Sequence, residues 1–339
     1  MPASLDVQQR QLIQVAQMYY EDDLTQEEIA MRLHLSRSKV VRVLREARRE
    51  GIVQIRVIAP QRTSFDLERR LERRFGLQQA IAVESGGLRP EELRPAVGRA
   101  AAHLLGETLR TRDVLAMSSG TTLAATVDAM APVHTSDVTI VELEGAPDED
   151  VSLPEYGTYA LATRLAKLIH AQYRRIPVPR EWGSREAAEI IRADARIRRV
   201  LDLARHANVL LIGVSGIDPI APTLGHLTAD ILDPLKATGA VGEIAARFFD
   251  ASGHPCPSRL DERLIGLELA DLHRIPVRIG VTFGTHKVPA IVGALRGGYI
   301  NVLVTDSDTA AALLVSAAEH ETRPAAQPTG LRSEAAAGR

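Results

Sequence analysis

Residues 24–53 read LTQEEIAMRLHLSRSKVVRVLREARREGIV, and their spacing predicts two short helices joined by a tight turn. Thr25 and Glu28 have the S/T-x-x-E spacing of a capping box, which starts the first helix. Ser36 is suited to cap the second helix, whose apolar residues repeat at helical spacing. The predicted inward positions of that helix are Val40, Val41, Leu44 and Ala47. This pattern is typical of a helix-turn-helix, whose second helix fits the major groove of DNA.

The second helix of this stretch is strongly basic. Between Arg32 and Arg56, eight Arg and Lys residues stand against two Glu residues, in a chain whose formal net charge is -2. A solvated helical hairpin would carry mixed charges, whereas a positive face on a near-neutral protein is typical of phosphate binding. Arg48 and Arg49, near the end of the helix, are expected to face solvent or phosphate. We expect the DNA contacts to come from Arg37, Ser38, Lys39, Arg42 and Arg45.

The flanking segments complete an N-terminal DNA-binding domain, predicted over residues 1–59. Residues 6–20 place Leu12, Val15, Ala16 and Tyr19 at helical spacing, which predicts a third helix. After the basic helix, residues 52–58 alternate apolar and polar side chains, which predicts one strand of a short wing. Arg56 on this strand is placed to touch phosphate.

Residues 60–77 predict a connector helix. Leu67, Leu71 and Phe75 form a narrow apolar stripe on a segment that is otherwise charged, so the stripe needs a partner. Because helix-turn-helix modules read half-sites in pairs, we expect the partner to be a second copy of the chain, in a dimer or tetramer. The alternative is that the connector helix packs on its own domain.

From residue 78 to residue 320, short apolar strands alternate with helices. The predicted strands cover residues 80–83, 114–117, 138–143, 209–214, 277–282 and 300–305. This alternation predicts an α/β effector domain, doubly wound and Rossmann-like, with a parallel sheet covered on both faces. Sites in such a domain open at the carboxyl ends of the strands. Residues 321–339 are rich in Ala, Pro and Gly without an apolar period, which predicts a disordered tail.

Composition narrows the chemistry and the compartment. The chain has 339 residues, of which 45% are hydrophobic, and is long enough for two or three domains. Its single cysteine, Cys256, cannot form an intramolecular disulfide, which fits a reducing cytoplasm. We expect a soluble cytoplasmic protein, because neither a signal peptide nor an apolar run of about twenty residues is present. No His, Cys, Asp and Glu residues show metal-ligand spacing, so we expect no metal and no cofactor.

Small and polar residues cluster after the predicted strands. Residues 118–122, SSGTT, lie between a strand and a helix, where a tight glycine turn, free N–H groups and hydroxyls suit an anion such as phosphate. Lys287 can add a positive charge for a phosphate, while Glu243 and Asp306 can accept hydrogen bonds from hydroxyls. His286 is expected to be a cap or a surface residue. The other clusters are residues 213–216, residues 239–244 and the pair 284–287 with 305–307.

The effector domain contains four motifs in a recognisable order: SSGTTLAATVDAM from residue 118, LLIGVSGID from residue 210, GAVGEIAARFFDASG from residue 239 and VTFGTHKVPAIVGALRGGYINVLVTDSDT from residue 281. With the helix-turn-helix, they make the chain resemble the SorC family of sugar-binding bacterial transcriptional regulators. In such regulators the carboxyl domain is similar to the sugar-phosphate isomerase and glucosamine-phosphate deaminase fold, binds a sugar or a phosphorylated sugar, and assembles into dimers and tetramers on operator DNA.

The resemblance also implies roles for individual residues. The phosphate loop of the family falls on Ser119, Gly120, Thr121 and Thr122, its pocket acid on Glu243 and its pocket lysine on Lys287. To these we add Gly213 and Asp306 from the strand-end clusters. Where relatives often have the neutral QLNGG, this chain has ELEGA, with Glu142 and Glu144. Two carboxylates would repel an anionic ligand, so we expect an effector with one phosphate or none and no second anionic group.

These observations predict a DNA-binding transcriptional regulator, and not an enzyme, whose operator binding is controlled by a sugar or sugar phosphate. One alternative is a sugar-phosphate isomerase or deaminase with an appended DNA-binding domain, in which Glu243, Asp306 and Lys287 would perform acid-base chemistry. Against it, the sequence offers no obvious His or paired carboxylates beside the phosphate loop. A second alternative is a ligand-independent DNA-binding protein with a purely structural carboxyl domain.

Overall fold

A computed structural model describes residues 7–53, 64–132, 136–146, 156–217 and 227–321. The chain divides into two compact units, residues 1–60 and 61–339. The helices are α1 (Val7–Tyr20), α2 (Gln26–Arg32), α3 (Arg37–Arg49), α4 (Phe65–Phe75), α5 (Pro90–Thr108), α6 (Thr121–Asp128), α7 (Thr158–Leu168), α8 (Arg185–Ala193), α9 (Ala195–Arg205), α10 (Ala229–Ala237), α11 (Leu269–Leu272), α12 (Val288–Arg296) and α13 (Ser307–Glu321). Most of the predicted wing strand, with Arg56, and the predicted tail beyond residue 321 lie outside the described residues.

The strands are β1 (Gln79–Val83), β2 (Val114–Met117), β3 (Thr139–Glu142), β4 (Gln172–Arg174), β5 (Val209–Ile212), β6 (Ser215–Gly216), β7 (Ala240–Ile244), β8 (Arg247–Asp250), β9 (Val277–Val281) and β10 (Val302–Asp306). Among the described residues, seven of them form one parallel sheet in the order β1-β10-β9-β5-β2-β3-β4. Leu115 and Met117 of β2 face the apolar cluster of α5, α6 and α7, while Ala116 between them faces the cluster of α9, α12 and α13. Both faces are therefore covered, and the predicted doubly wound α/β fold is confirmed.

The N-terminal unit packs its three helices around one small core. Thr25 and Glu28 form the predicted capping box, with Thr25 N–H donating to Glu28 Oε2 at 2.8 Å. Val43 is buried in α3, whereas Val41, predicted to point inward, is only half-buried. The buried residues of α3, Val40, Val43, Leu44 and Ala47, follow the three- and four-residue steps of one helix face, and residue 41 lies off that line.

The apolar stripe of α4 is covered within its own domain. Leu71 is fully buried, and Leu67 and Phe75 pack against the same apolar cluster. Glu68 and Glu72 of α4 also accept hydrogen bonds from backbone N–H groups of the edge strand β1, at 2.9 and 3.1 Å. The connector helix thus packs as the alternative interpretation has it, and its stripe does not by itself require a second copy of the chain.

A small antiparallel sheet, β6-β7-β8, was missed by sequence reasoning. Residues 239–244 were expected to follow a strand, but most of them form β7, and β7 and β8 are joined by a two-residue loop. The loop residues, Ala245 and Ala246, have φ of 50° and 61°, a conformation in which Gly and Asn are preferred. Almost every residue of β7 is buried, so its sequence lacks the alternation that reveals a half-exposed strand.

Helices α5 and α6 approach each other more closely than a side chain would allow. A Cβ atom at Gly98 of α5 would lie 2.6 Å from the backbone of Ala125 in α6. Glycine is therefore required at this position, and a direct backbone contact fixes α6. The amino end of α6 follows residues 118–120, at the carboxyl end of β2.

Candidate functional site

A cavity of about 230 Å³ lies where the central parallel strands end. Its walls come from the segments after β2, β3 and β5, from the β7–β8 hairpin and from the turn before α12. This is the carboxyl edge of the sheet, where sites of doubly wound domains are found. Seven of the eight predicted effector residues line it: Ser119, Gly120, Thr121, Thr122, Gly213, Glu243 and Lys287.

Residues 118–120 join β2 to α6, and the predicted phosphate loop, residues 119–122, continues into the first turn of that helix. Gly120 has φ 138° and ψ 157°, a conformation open only to glycine, and its N–H donates to the carbonyl of Tyr156 at 3.1 Å. Within the described chain, no side chain caps the amino end of α6. The first N–H groups and the positive end of the helix dipole are therefore available to an anion in the cavity.

Lys287 lies in the turn just before α12 and brings a positive charge to the cavity wall. Burial lowers the pKa of its ammonium group, and the neighbouring charge of Glu243 partly opposes that shift. A desolvated ammonium group interacts strongly with an anion, because little water screens it. His286, expected to be a cap or surface residue, also lines the cavity although the residue as a whole is exposed.

Two buried carboxylates, Glu144 and Glu243, line the same cavity and form a carboxylate pair. Glu243 lies on β7 opposite Ser215, and its Oε2 accepts a hydrogen bond from the N–H of Ala246 at 2.9 Å. Burial raises the pKa of Glu243 to about 7, with the charge of Glu144 as the second cause. Because each carboxylate is buried and the charge of Glu144 acts on Glu243, the pair holds a proton more readily than an isolated exposed carboxylate does.

Glu144 differs from Glu243 in having an oxygen without a donor. Arg180 Nη1 lies 3.7 Å from Glu144 Oε2, close enough for an ion pair but too far for a hydrogen bond. Among the described residues, this Oε2 accepts no hydrogen bond although Glu144 is only 3% exposed. Burial raises the pKa of Glu144, while the charges of Arg180 and Arg247 oppose the shift. A buried acceptor in this position suits a donor group of a ligand.

Glu142 does not line the cavity. Its two oxygens accept hydrogen bonds from the hydroxyl of Tyr173 and from the N–H of Ile176. Burial raises its pKa to about 7, against the opposing effect of these hydrogen bonds. Of the two glutamates in ELEGA, only Glu144 therefore faces the cavity.

Asp306 is also outside the cavity, contrary to expectation. Its carboxylate accepts hydrogen bonds from the hydroxyls of Ser85 and Thr309 and from the N–H groups of Gly284, Asp308 and Thr309. These bonds tie the start of α13 to the turn after β9, and they occupy both carboxylate oxygens. We therefore replace the predicted effector contact of Asp306 with a structural role.

The basic face of α3 forms a separate candidate site in the N-terminal unit. Arg37, Ser38, Arg42 and Arg45 are exposed and Lys39 is half-buried. Ser36 starts the helix by accepting a hydrogen bond from the N–H of Lys39 at 3.2 Å. Among the described residues, no carboxylate forms an ion pair with the four basic side chains of this set. They are therefore available to phosphate groups or base edges.

Arg48 has a different role from the one expected. Its guanidinium donates to the hydroxyl of Tyr20 in α1, at 2.8 and 2.6 Å, and lies over the same ring. Arg49 pairs with Glu46 on the helix surface at 3.2 Å. Arg48 thus joins α1 to α3.

Sequence reasoning did not assign Arg180 or Tyr156 to the cavity, although both line it. Glu144 was visible as a departure from the family pattern, but its direction was not. Arg180 comes from the segment after β4, a three-residue strand too short to predict. Backbone hydrogen bonds of Arg180 with Ala146 and Ile265, both 2.7 Å, hold its segment beside Glu144. Within the described ranges, no helix is long and apolar enough to span a bilayer.

Comparison with known proteins agrees with this arrangement. Residues 59–315 match the family model described as "Putative sugar-binding domain", and residues 3–50 match sigma-70, region 4. The deoxyribonucleoside regulator of Bacillus subtilis is 33% identical over 315 residues, covering 91% of this chain and 99% of that protein. The transcriptional regulator LsrR of Escherichia coli K12 is 32% identical over 316 residues, covering 91% and 96%.

A solved structure extends the likeness to the fold. The full-length sorbitol operon regulator SorC from Klebsiella pneumoniae superposes with a TM-score of 0.71 at 28% identity, covering 92% of this chain and all of that one. The two family models together account for a DNA-binding unit and a sugar-binding domain in the order found here. The chain therefore belongs to the SorC family of transcriptional regulators, with an N-terminal helix-turn-helix and a C-terminal sugar-binding domain.

Proposed function

We propose that this regulator binds operator DNA through α3 and that a phosphorylated sugar in the cavity changes its affinity for the operator. The observation that carries the proposal is the meeting of the uncapped amino end of α6 with the desolvated ammonium group of Lys287 in one cavity. A helix terminus and a buried cation together suit a phosphate group. Thr121 and Thr122 would add hydroxyl donors, and Glu243 would accept from sugar hydroxyls.

The roles of two similar proteins support a sugar-derived effector. One relative is a deoxyribonucleoside regulator, and the solved homologue regulates a sorbitol operon. What carries over is a class of ligand that combines hydroxyl groups with, in our proposal, one phosphate.

The test is a thermal-shift panel on the full chain with pentoses, hexoses and their monophosphates, followed by operator binding with each ligand that stabilises. A ligand at about 100 times its dissociation constant should raise the free energy of unfolding by about 2.7 kcal/mol. The same ligand should change operator affinity, because it can act on DNA binding only through different affinities for two states of the protein. A panel without any stabilising phosphorylated member would contradict the proposal.

An enzymatic activity is the second candidate, and one observation favours it. Contrary to the sequence expectation, a carboxylate pair and His286 lie in the cavity with the phosphate loop. These groups meet the minimal requirement for moving a proton on a bound sugar phosphate. The named relatives are regulators, which supports a non-enzymatic role. Direct turnover assays with hexose and pentose phosphates, with loss of any activity in Glu243→Gln, would establish the enzyme instead.

We further propose that the regulator works as a dimer or tetramer. The reason is the pairing of helix-turn-helix modules on half-sites one DNA turn apart, and not the stripe of α4, which is covered. Sedimentation at micromolar concentration should give a species of two or four chains, with and without DNA. A monomer that binds a palindromic operator as a single chain would refute this assembly.

A further inference from the structure

If the cavity binds a phosphorylated sugar, as proposed above, the charges that line it do not balance the charge of the phosphate. Lys287 and Arg180 bring positive charge to the cavity, and the carboxylate pair brings up to two negative charges. A phosphate monoester adds a charge of about -1.5 to -2 at neutral pH. In a buried site, where water screens poorly, this excess of negative charge is costly.

Uptake of a proton by the carboxylate pair would remove one of these charges. Neighbouring carboxyl groups titrate together, because the second ionisation puts two negative charges side by side. The charges of Arg180, Arg247 and Glu142 interact with Glu144, while Arg180, Lys287, Ser215 and the N–H of Ala246 interact with Glu243. An anion bound beside these groups favours the protonated form of the pair.

Glu144 also has the free acceptor oxygen described above. Glu144 Oε2 is buried, lines the cavity and accepts no hydrogen bond from the described residues. Backbone hydrogen bonds on both sides hold it in place: Gly145 N–H donates to Ile265 at 2.9 Å and Leu267 N–H donates to Leu143 at 2.9 Å. A hydroxyl of a ligand can satisfy this oxygen, whereas a second phosphate or a carboxylate would meet its charge.

We propose that Glu144 determines the ligand selectivity of the cavity. With Glu243 it binds the hydroxyl-bearing part of a singly phosphorylated ligand, and the pair holds one proton, taken from solvent, in the complex. A ligand with a second anionic group is disfavoured, because the pair cannot take up enough protons to offset both anions. Glu142, two residues away, is bonded to Tyr173 and Ile176 and does not line the cavity, so it makes no contact with the ligand.

The experiment compares wild type, Glu144→Gln and Glu142→Gln by calorimetry at pH 8, where a phosphate monoester is fully ionised. The ligands are three pairs: ribose 5-phosphate with ribose 1,5-bisphosphate, fructose 6-phosphate with fructose 1,6-bisphosphate, and glucose 6-phosphate with 6-phosphogluconate. In wild type, the monophosphate that binds should be preferred over its partner. Glu144→Gln should reduce that preference about fivefold or more, because one repelling charge is removed. Glu142→Gln is the matched control and should keep the wild-type preference.

Proton uptake supplies a second, independent measurement. Repeating the wild-type titration in buffers of different ionisation enthalpy should show between about half and one proton taken up per ligand, and affinity should fall up to about tenfold per pH unit above pH 7. Glu144→Gln should show less uptake.

If Glu144→Gln does not fold, absence of uptake in wild type overturns the inference. Equal selectivity and uptake in Glu144→Gln and wild type would overturn it too. A wild-type protein that binds no phosphorylated compound would overturn the proposed function as well.

Discussion

The basic face of α3 and the cavity are both proposed to bind phosphate, but their charged groups lie in opposite surroundings. Arg37, Arg42 and Arg45 are exposed, so salt screens them and long side chains adjust to the DNA. In the cavity, Lys287 and the carboxylate pair are desolvated, and burial moves their pKa values toward neutrality. Binding at the two sites should therefore depend on different variables: on ionic strength at the DNA-binding helix and on pH in the cavity.

The largest effect is expected from Lys287→Ala. Removal of the ammonium group leaves the phosphate of the ligand and Glu243 without their shared cation, which should weaken sugar-phosphate binding about 100-fold, or about 3 kcal/mol. Operator affinity without ligand should stay near wild type, since α3 is untouched. Calorimetry and operator titrations measure both, and Lys167→Ala, an exposed lysine of α7 outside the cavity, is the control. A Lys287→Ala protein with the wild-type ligand response would place the phosphate site elsewhere.

Next in size is the loss expected at the exposed part of α3. Arg37→Ala or Lys39→Ala should weaken operator binding by about 1–3 kcal/mol without changing the melting temperature much. A side chain that reads a base should also relax specificity at one operator position. Arg49→Ala, which breaks a surface pair with Glu46 near the other end of the helix, should lose less. Operator titrations of each variant at several fixed salt concentrations measure these losses. Wild-type affinity in both Arg37→Ala and Lys39→Ala would rule out this orientation of the helix.

A smaller effect is expected from pH on the ligand-free protein. Burial raises the pKa of Glu142 and of Glu243 from 4.5 to about 7, so the folded protein keeps protons that the unfolded chain releases between these values. The stability is fully present below pH 4.5 as far as these groups are concerned, and is lost as pH rises toward 7. We expect calorimetry to show a fall of about 1–2 kcal/mol from each of the two groups between pH 5.5 and 7.5. Glu142→Gln should flatten this slope, and an unchanged slope would argue against protonated Glu142.

The smallest effect concerns the loop beside the carboxylate pair. Ala246 has φ 61°, where an alanine is strained and a glycine is not, so Ala246→Gly should stabilise the protein by about 0.5 kcal/mol and raise the melting temperature by about 1–2 °C. The N–H that Glu243 accepts from is retained. Ala311→Gly, at an exposed position in α13, should do the opposite and cost about 0.5–1 kcal/mol. A lower melting temperature for Ala246→Gly would show that its methyl group contributes packing that outweighs the strain.

Local signals in the sequence predicted most of the fold. The capping box at Thr25 and the buried parallel strands were found because each depends on residues close together in the chain. Seven of the eight predicted effector residues line the cavity, and the residues of segments 119–122 and 213 do so because parallel strands end at one edge of the sheet. The predicted effector contact of Asp306 was not found in the cavity because its side chain turns back to cap α13. The sequence pattern does not specify the direction of that side chain. Arg180 was missed because only the fold brings it to Glu144.

The contact between Gly98 and Ala125 has a consequence for how the cavity binds. Since backbone meets backbone at this point, α6 cannot shift toward α5, and the phosphate loop at its amino end is held in the shape that an anion requires before the anion arrives. Such preorganisation reduces the entropy lost on binding, because few side chains and no helix have to be ordered. Affinity for the effector therefore depends in part on a glycine outside the cavity lining, and Gly98→Ala should weaken binding by displacing α6 although it changes no lining side chain.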